Sequence, residues 1–392
     1  MAWKEVSVMS QRLELVQLAA AEGANVSLLC RRFGVSRQTA YKWMARFKAG
    51  GGGADALVDR SRRPVSSPTR TDAAMEASAV KIRQEHPTWG ARKIRARLAH
   101  LTGHDDDPLA TAAEELPAVS TFTGILHRHG LIDTERSALH KPFVRFERAH
   151  PNELWQMDFK GWFDTNTGRC HPFTALDDHS RFNLILAACR DEKTETVREK
   201  LTGAFRCYGM PASILCDNGP PFGGVSDHGL TPLSVWLIRL GIAVTHGRRY
   251  HPQTQGKEER FHRTFKADVL SGRTFDDPDH AQRCFDPFRQ TYNFQRPHEA
   301  LGMATPSQRY RPSTRAFPEA LPTIEYAPGD QVRKVQDKGV IHFNGKTWPV
   351  ARCLHGQAVA LRANTDRDGC FEIRFCAQTI GQLDLRNEHG KE

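Results

Sequence analysis

The chain has 392 residues and a formal net charge of +10, and its length predicts more than one domain. Hydrophobic residues make up 39% and charged residues 26%, so the chain can build packed cores and is not wholly disordered. The longest apolar run, near Leu184–Cys189, is far shorter than the roughly 20 residues of a membrane helix. The first residues also lack an apolar secretory leader. We therefore expect a cytoplasmic protein with no membrane partner.

The positive charge is concentrated near the N-terminus. Residues 1–100 contain 18 Lys and Arg but only 8 Asp and Glu, a net charge equal to that of the whole chain. This asymmetry indicates that the first quarter meets a polyanion, most simply nucleic acid. The nine cysteines form an odd set without a C-x-x-C pair, which argues against a disulfide framework or a zinc knuckle.

Residues 1–58 are predicted to form a first helix-turn-helix domain. Helices are expected at Ser10–Ala21 and Val26–Phe33, the second ended by Gly34, and Ser36 is a good N-cap for a third. A short helix, a Gly-containing turn and a capped helix are typical of DNA-binding units, although an ordinary three-helix bundle would show the same pattern. The basic charge favours DNA binding. The third helix would present four side chains to bases or phosphates: Arg37, Gln38, Tyr41 and Lys42.

A basic, Pro-interrupted linker follows at residues 59–71, and it either lies along DNA or is a solvated tether. Its candidate DNA contacts are Arg60, Arg62 and Arg63. Residues 72–135 are predicted to form a second helix-turn-helix or winged-helix domain, with Ser120 capping one helix and an acidic loop at residues 105–115. Arg92 and Lys93 are its candidate DNA contacts. A linker is expected at residues 136–150.

Residues 151–312 alternate between strand-like and helical patterns, which predicts an α/β core with a mixed five-stranded sheet. The expected strands are Trp155–Phe163, Phe173–Leu176, Leu184–Ala188, Ser213–Cys216 and Ile242–Thr245. The expected helices are Thr194–Tyr208, Leu233–Leu240 and Gln255–Leu270. A linker at 313–329 precedes residues 330–392, where short strands and an Asn344-Gly345 turn predict a small β-barrel.

Three acidic residues stand at informative places in this core. Asp158 lies inside a strand pattern, Asp217 ends another strand, and Glu259 lies early on the long helix. Carboxylates are ligands that Mg²⁺ prefers, and strand ends of α/β sheets are where sites collect. Two such ions about 4 Å apart clamp the attacking and leaving oxygens of a phosphoryl displacement.

The motifs around these acids resemble the catalytic core of retroviral integrases and, more closely, bacterial insertion-sequence transposases. The motifs that carry the resemblance are Met157-Asp158-Phe159, Leu176-Asp177-Asp178-His179-Ser180-Arg181, Cys216-Asp217-Asn218-Gly219 and the run from His251 to Arg260. Trp89-Gly90-Ala91-Arg92-Lys93-Ile94, the run from Tyr292 to Leu301 and Thr305-Pro306 resemble the upstream unit and the tail of such transposases. The resemblance covers nearly the whole chain.

The resemblance implies a multidomain protein whose helix-turn-helix units precede a ribonuclease-H-like core. It implies a DDE triad of Asp158, Asp217 and Glu259 that holds two Mg²⁺ ions, with Mn²⁺ as a substitute. Glu259 is preferred to its neighbour Glu258 because the family's glutamate is the third residue after the helix-opening glycine, here Gly256. Asp217 and Glu259 are 42 residues apart, longer than the retroviral spacing, and we assign the excess to a surface loop at residues 223–231.

The function so implied is that of a DNA transposase at the bacterial nucleoid. It would bind terminal inverted repeats of double-stranded DNA, free 3′-hydroxyls by cleavage and join them to target DNA within a homo-oligomeric synaptic complex. A catalytically silent DNA-binding regulator is the alternative. A nuclease of the same fold is disfavoured, because such enzymes read shape and would not need tandem helix-turn-helix units.

Other residues near the proposed site have two interpretations each. The cations of the long helix would contact phosphates, or they would form an ordinary solvated face: Lys257, Arg260, Arg263 and Lys266. Asp177 and Asp178 are expected to be structural or turn-forming rather than metal ligands. His251 and His262 are expected to be structural histidines.

Overall fold

The computed structural model describes residues 7–60, 71–102, 116–132, 147–223, 230–247 and 256–386. The chain forms two compact units, Met1–Arg70 and Thr71–Glu392. Several predictions lie outside the described residues, namely those for Arg62, Arg63, His251 and the acidic loop at 105–115. None of the helices described is both long and apolar enough to cross a membrane.

The first unit contains the three predicted helices. They are α1 (Val8–Ala19), α2 (Val26–Phe33) and α3 (Arg37–Ala49). The Asn25 and Ser36 side chains accept from main-chain N–H groups and cap α2 and α3. Gly34 ends α2 at a φ of +64°, a left-handed conformation that glycine adopts without steric cost. The predicted boundaries of α2 and the Ser36 cap are thereby confirmed.

The second unit opens with three helices around the buried side chains Trp89, Ile94 and Phe122. They are α4 (Ala73–Glu85), α5 (Ala91–Thr102) and α6 (Val119–Arg128). The prediction that Ser120 caps α6 is wrong. The helix begins at Val119 without a side-chain cap, because the carbonyl of Ala118 already accepts from the N–H groups of Thr121 and Phe122 and so places Ser120 inside the first turn.

The core of the second unit is a mixed sheet. Its strands are β1 (Leu154–Phe159), β2 (Phe163–Thr165), β3 (Gly168–Asp177), β4 (Asn183–Cys189), β5 (Ser213–Cys216) and β6 (Ala243–His246). The order is β2-β3-β1-β5-β6, with β4 also paired to β3; β1, β5 and β6 run parallel to one another. All five predicted strands are present. The first is shorter than predicted, because the chain turns at Gly161 and forms the additional strand β2.

Helices cover both faces of this sheet. One face packs on α7 (Thr194–Tyr208) and α8 (Pro232–Arg239). The other packs on α9 (Gly256–Phe265), which continues as a π-helical turn (Lys266–Leu270), and on α10 (Pro278–Gln290). The short α11 (Pro306–Arg309) follows. Side chains alternate along β1, so Trp155 and Met157 enter the first layer while Gln156 and Asp158 face the side of α9.

The C-terminal part forms an open four-stranded sheet and a separate hairpin. The strands are β7 (Gln331–Lys334), β8 (Val340–Phe343), β9 (Lys346–Pro349), β10 (Ala358–Ala363), β11 (Cys370–Phe375) and β12 (Gln378–Asp384). The sheet order is β12-β11-β10-β7, and β8 pairs only with β9 among the strands described. The predicted hairpin is confirmed, but the predicted closed β-barrel is not found in the described residues. The apolar sides of these strands instead share one core with α8 and β6.

Candidate active site

Asp158 lies near the end of the central strand β1. Its backbone partner across the sheet is Thr174 of β3. The carboxylate is 27% exposed and faces α9, where His262 Nδ1 stands 4.0 Å from Oδ2. Burial, and then the charge of Asp217, raises the pKa of Asp158 to about 7. A cation bound nearby would stabilise the ionised form of a carboxylate with such a pKa.

Asp217 follows the last residue of β5, the strand next to β1. The N–H of Gly247 donates to the carbonyl of Cys216 (3.0 Å), and the Asn218 amide donates to the carbonyl of Gly247 (2.8 Å), which ties this turn to the end of β6. The carboxylate oxygen Oδ1 of Asp217 is buried and has no hydrogen-bond partner among the described residues. Burial raises the pKa of this side chain, and the N–H of Gly219 and the nearby His246 oppose the rise.

The sheet topology explains why the two aspartates meet. β1 and β5 are adjacent and parallel, with Trp155 opposite Ile214, so their carboxyl ends lie at one edge. The charge of Asp217 is among the causes that raise the pKa of Asp158, as expected for carboxylates at neighbouring strand ends. The pairing of strand-end acids predicted from the sequence therefore has a basis in this geometry.

A further carboxylate, Glu192, stands near both aspartates and was missed by sequence reasoning. It precedes α7, and its Oε1 lies 2.7 Å from Nδ1 of His171 on β3. Its charge is among the causes that raise the pKa of both Asp158 and Asp217. No local motif marks this residue, because a tertiary contact with His171 on β3 holds it near the site.

The two glutamates at the start of α9 have opposite environments. The side chain of Glu259 is 69% exposed, and Arg263 lies 3.6 Å from its carboxylate. Glu258 is 1% exposed, beneath Asp158, where burial and the charge of Asp158 raise its pKa well above the usual value. Successive helical residues differ by about 100° in direction, which accounts for the contrast.

The two aspartates suit a hard divalent cation. Both supply carboxylate oxygens, and the unpartnered Oδ1 of Asp217 is an acceptor left for a ligand. No set of three His, Cys, Asp or Glu side chains within the described ranges is grouped closely enough to hold a metal ion. The structure thus brings Asp158 and Asp217 together and leaves Glu259 on the exposed side of α9.

The predicted DNA contacts on α3 lie on its exposed surface. The exposed residues of α3 include Arg37, Gln38, Tyr41 and Lys42. Ala40 and Trp43, on the opposite side, are buried against α1 and α2. The exposed surface of α3 is therefore available to a partner. Arg60 is also exposed.

The predicted cations of the second unit are less uniform. Arg260, Arg263 and Lys266 are exposed along α9. Lys257 instead forms an ion pair with the buried carboxylate of Asp178, and its burial lowers its pKa to about 8. The cations of α5 differ in the same way, since Arg92 is exposed and Lys93 is half-buried.

The acidic pair at the end of β3 is structural, as predicted. Asp177 accepts from the N–H of Asn152 (2.7 Å) and from the hydroxyl of Ser180 (2.6 Å). Asp178 accepts from the Gln156 amide (2.7 Å) as well as from Lys257. Both carboxylates are fully buried and bonded, so they fix the end of the sheet and the start of α9.

Models of known domains match successive parts of the chain. A helix-turn-helix domain matches residues 11–64 and a homeodomain-like domain matches residues 39–107. Integrase core domains match residues 148–252 and 240–306, and the C-terminal domain of the IS481 family of transposases matches residues 330–391.

Individual proteins are also similar. A 31.7 kDa protein of insertion element IS407 from Burkholderia multivorans is 25% identical over 62% of this chain and 83% of its own length. Protein YlbG of Escherichia coli is 38% identical over 23% of this chain and 72% of its own. A solved structure of the simian T-cell lymphotropic virus intasome with a PP2A regulatory subunit aligns at 17% identity and a TM-score of 0.34, over 69% of this chain and 93% of that one.

Proposed function

This chain belongs to the insertion-sequence transposases with helix-turn-helix and integrase core domains, and on that premise we propose that it cleaves and joins DNA at transposon ends. The observation that supports this most directly is the pair of interacting aspartates, Asp158 and Asp217, at one edge of the sheet. The substrate would be double-stranded DNA at the bacterial nucleoid.

We propose that Asp158, Asp217 and Glu259 form the catalytic triad and hold two Mg²⁺ ions, with Mn²⁺ as a substitute. When bound, such ions supply Lewis acidity and lower the pKa of a water or a 3′-hydroxyl. The three carboxylates would orient the scissile phosphate by fixing where those ions stand. Bound metal ions would offset the negative charge of these carboxylates, and this edge of the sheet would then be more favourable to the negatively charged DNA backbone.

The N-terminal helices would select the DNA. The exposed surface of α3 offers a guanidinium, an amide, a phenol and an ammonium group, which suit base edges and phosphates. Exposed cations on α9 would hold phosphates beside the scissile bond. Because strand joining needs two DNA ends side by side, we propose a homo-oligomer in the synaptic complex.

The test is a strand-cleavage and strand-joining assay with the full chain, labelled DNA ends and Mg²⁺ or Mn²⁺. We expect 3′-hydroxyl cleavage products and joined products that a chelator abolishes. Asp158→Asn should lower their yield by about a hundredfold or more, since it removes a metal-binding charge. Glu199→Gln, an exposed carboxylate on α7, is the matched control and should retain activity.

A DNA-binding regulator without catalysis is the second candidate, and the exposed position of Glu259 favours it. It predicts sequence-specific binding by the wild-type chain with no cleavage in Mg²⁺ or Mn²⁺. Such a result would exclude the enzymatic proposal while leaving the DNA-binding one intact.

A further inference from the structure

Glu258 is an acidic residue in the protein interior, where burying a carboxyl group costs free energy. Its side chain is 1% exposed beneath the sheet edge that carries Asp158, and its oxygen Oε1 has no hydrogen-bond partner among the described residues. Burying a carboxyl group with an unfilled acceptor destabilises a fold, so an apolar residue would pack more favourably there. The residue therefore calls for an explanation other than stability.

The contacts of Glu258 join α9 to the strands beneath it. The hydroxyl of Thr174 on β3 lies 3.0 Å from Oε2 of Glu258. The same hydroxyl lies 3.0 Å from the carbonyl oxygen of Asp158 and 2.8 Å from Nε2 of His262. Thr174 is itself fully buried, so these contacts are shielded from water.

His262 lies between Glu258 and the carboxylate of Asp158. It stands one helical turn after Glu258, with Nε2 3.7 Å from Oε2 of Glu258 and Nδ1 4.0 Å from Oδ2 of Asp158. The cluster thus contacts Asp158 directly at its main-chain carbonyl, while the His262 ring lies beside the Asp158 carboxylate at 4.0 Å, beyond hydrogen-bond distance. Glu259 is the next residue on the same helix, so any rotation of α9 would move it as well.

We propose that Glu258 is a positioning residue whose buried carboxyl group, bonded to Thr174, fixes α9 against β3 and sets the placement of Glu259 and His262 relative to Asp158. This inference rests on the proposed function, since the geometry it controls is that of the proposed triad. Groups behind metal-binding side chains are known to act in this way, by holding the ligands in one orientation.

Two substitutions separate positioning from folding. Glu258→Leu keeps a side chain of similar size but cannot bond Thr174, and Glu258→Gln keeps a planar group that can. We expect Glu258→Leu to retain or raise the Tm, to lower kcat for strand joining by about tenfold or more and to leave the KM for DNA within about twofold. Glu258→Gln should restore most of the activity.

Metal binding gives a readout that does not depend on catalysis. Mn²⁺ titrated into the DNA-free protein and followed by electron paramagnetic resonance should bind Glu258→Leu about tenfold more weakly than wild type. Thr174→Val removes the same hydrogen bond from the strand side, with a side chain of nearly equal shape. It should weaken Mn²⁺ binding to a similar extent. Glu199→Leu on the exposed surface of α7 is the control and should match the wild type.

Three results would overturn the positioning role. One is wild-type kcat and Mn²⁺ affinity in both Glu258→Leu and Thr174→Val. Another is that Glu258→Leu loses activity together with a lowered Tm, and that Glu258→Gln does not restore the activity. The third is unchanged Mn²⁺ binding when kcat falls. If the wild-type chain joins no DNA strands, the proposed function fails, but the comparison of Mn²⁺ affinities still tests Glu258.

Discussion

At the scale of single residues, two adjacent glutamates show what a sequence motif can and cannot assign. Counting from Gly256 selects Glu259 as the family's catalytic glutamate, and the rule uses no structural information. The structure adds that Glu258 is buried beside Asp158 while Glu259 is exposed next to Arg263. The two can therefore have different roles, one in positioning and one in metal binding.

The first prediction compares the two glutamates directly. Glu259→Gln should abolish strand joining, because it removes a proposed metal-binding charge, while Glu258→Gln should leave most of it. Gel assays of joined products with equal amounts of folded protein measure the difference. The reverse outcome, with Glu258→Gln inactive and Glu259→Gln active, would make Glu258 the third member of the triad.

Lys93 gives a prediction about stability and pH. Its burial, and then the charge of Arg296, lowers its pKa to about 8 from the ordinary value of 10.5. Below pH 8 the folded protein carries the positive charge of Lys93 in a half-buried position, which lowers its stability. Between pH 8 and 10.5 the unfolded chain binds more protons than the folded one, so this destabilisation is relieved as the pH rises. Lys93→Met should therefore be about 1–3 kcal/mol more stable than wild type at neutral pH, with a gap that closes near pH 10.

Urea unfolding of both proteins at several pH values measures that gap. The exposed neighbour provides a control, since Arg92→Met should differ from wild type by a small amount that does not change with pH. A gap for Lys93→Met that widens with rising pH would contradict the assignment.

At the scale of helices and strands, the sequence predicts those elements whose residues carry a local pattern of their own. The apolar runs of β1 and β5 and the Asn344-Gly345 turn carry their own signals, and the structure contains them. Helix α10 was missed because Pro287 lies inside it, although Ala281, Phe285 and Phe288 follow a helical spacing. The predicted small β-barrel is not found in the described part of residues 330–392, because the number of strands does not determine whether a sheet closes on itself or packs on a neighbour.

The candidate active site shows the same limit, since only residues with a local sequence signal could be predicted. The placement of Asp158 and Asp217 at one edge of the sheet could be predicted, because strand ends in an α/β sheet converge by topology. The positions of Glu192 and Thr174 could not, since they depend on tertiary contacts, namely that of Glu192 with His171 and that of Thr174 with Glu258 on α9. Sequence patterns thus identify residues that a strand delivers to the site, while residues that reach it through tertiary packing need the structure.

One element-scale contact yields the next prediction. The amide of Gln378 at the start of β12 both accepts from the N–H of Val244 (3.0 Å) and donates to its carbonyl (3.1 Å), as a neighbouring strand would. This closes part of the free edge of β6, the strand whose end meets Asp217. Gln378→Leu should lower the free energy of unfolding by about 1–3 kcal/mol, because it leaves these two main-chain groups without partners.

Hydrogen exchange followed by mass spectrometry locates that effect. In Gln378→Leu, the peptide that contains Val244 should exchange faster than in wild type. Gln382→Leu changes an exposed glutamine of the same strand and should have little effect. Equal exchange at Val244 in all three proteins would mean that the amide contact does not hold the edge.

At the scale of the whole molecule, helices α4, α5 and α6 belong to the same compact unit as the sheet that carries Asp158. Arg296 connects them, since its guanidinium pairs with Asp268 (3.1 Å) and lies 6.0 Å from the ring centre of Trp89. Arg92 of α5 also approaches Glu299 (4.0 Å). Two motifs that are far apart in the sequence therefore meet, so cations of α5 and α9 belong to the same body as Asp158.

The charge asymmetry of the chain gives the last prediction. The first hundred residues carry the whole net charge of +10, so the affinity for DNA should fall steeply with salt as counterions return to the phosphates. Removing one cation that binds a phosphate should reduce the slope of log K against log salt by about 1. Arg37→Ala and Lys42→Ala, which remove exposed cations of α3, should each do so in fluorescence-anisotropy titrations, whereas Lys200→Ala on α7 should not. A wild-type slope in both α3 variants would exclude this helix from phosphate binding, because weaker affinity with an unchanged slope indicates base readout or misfolding.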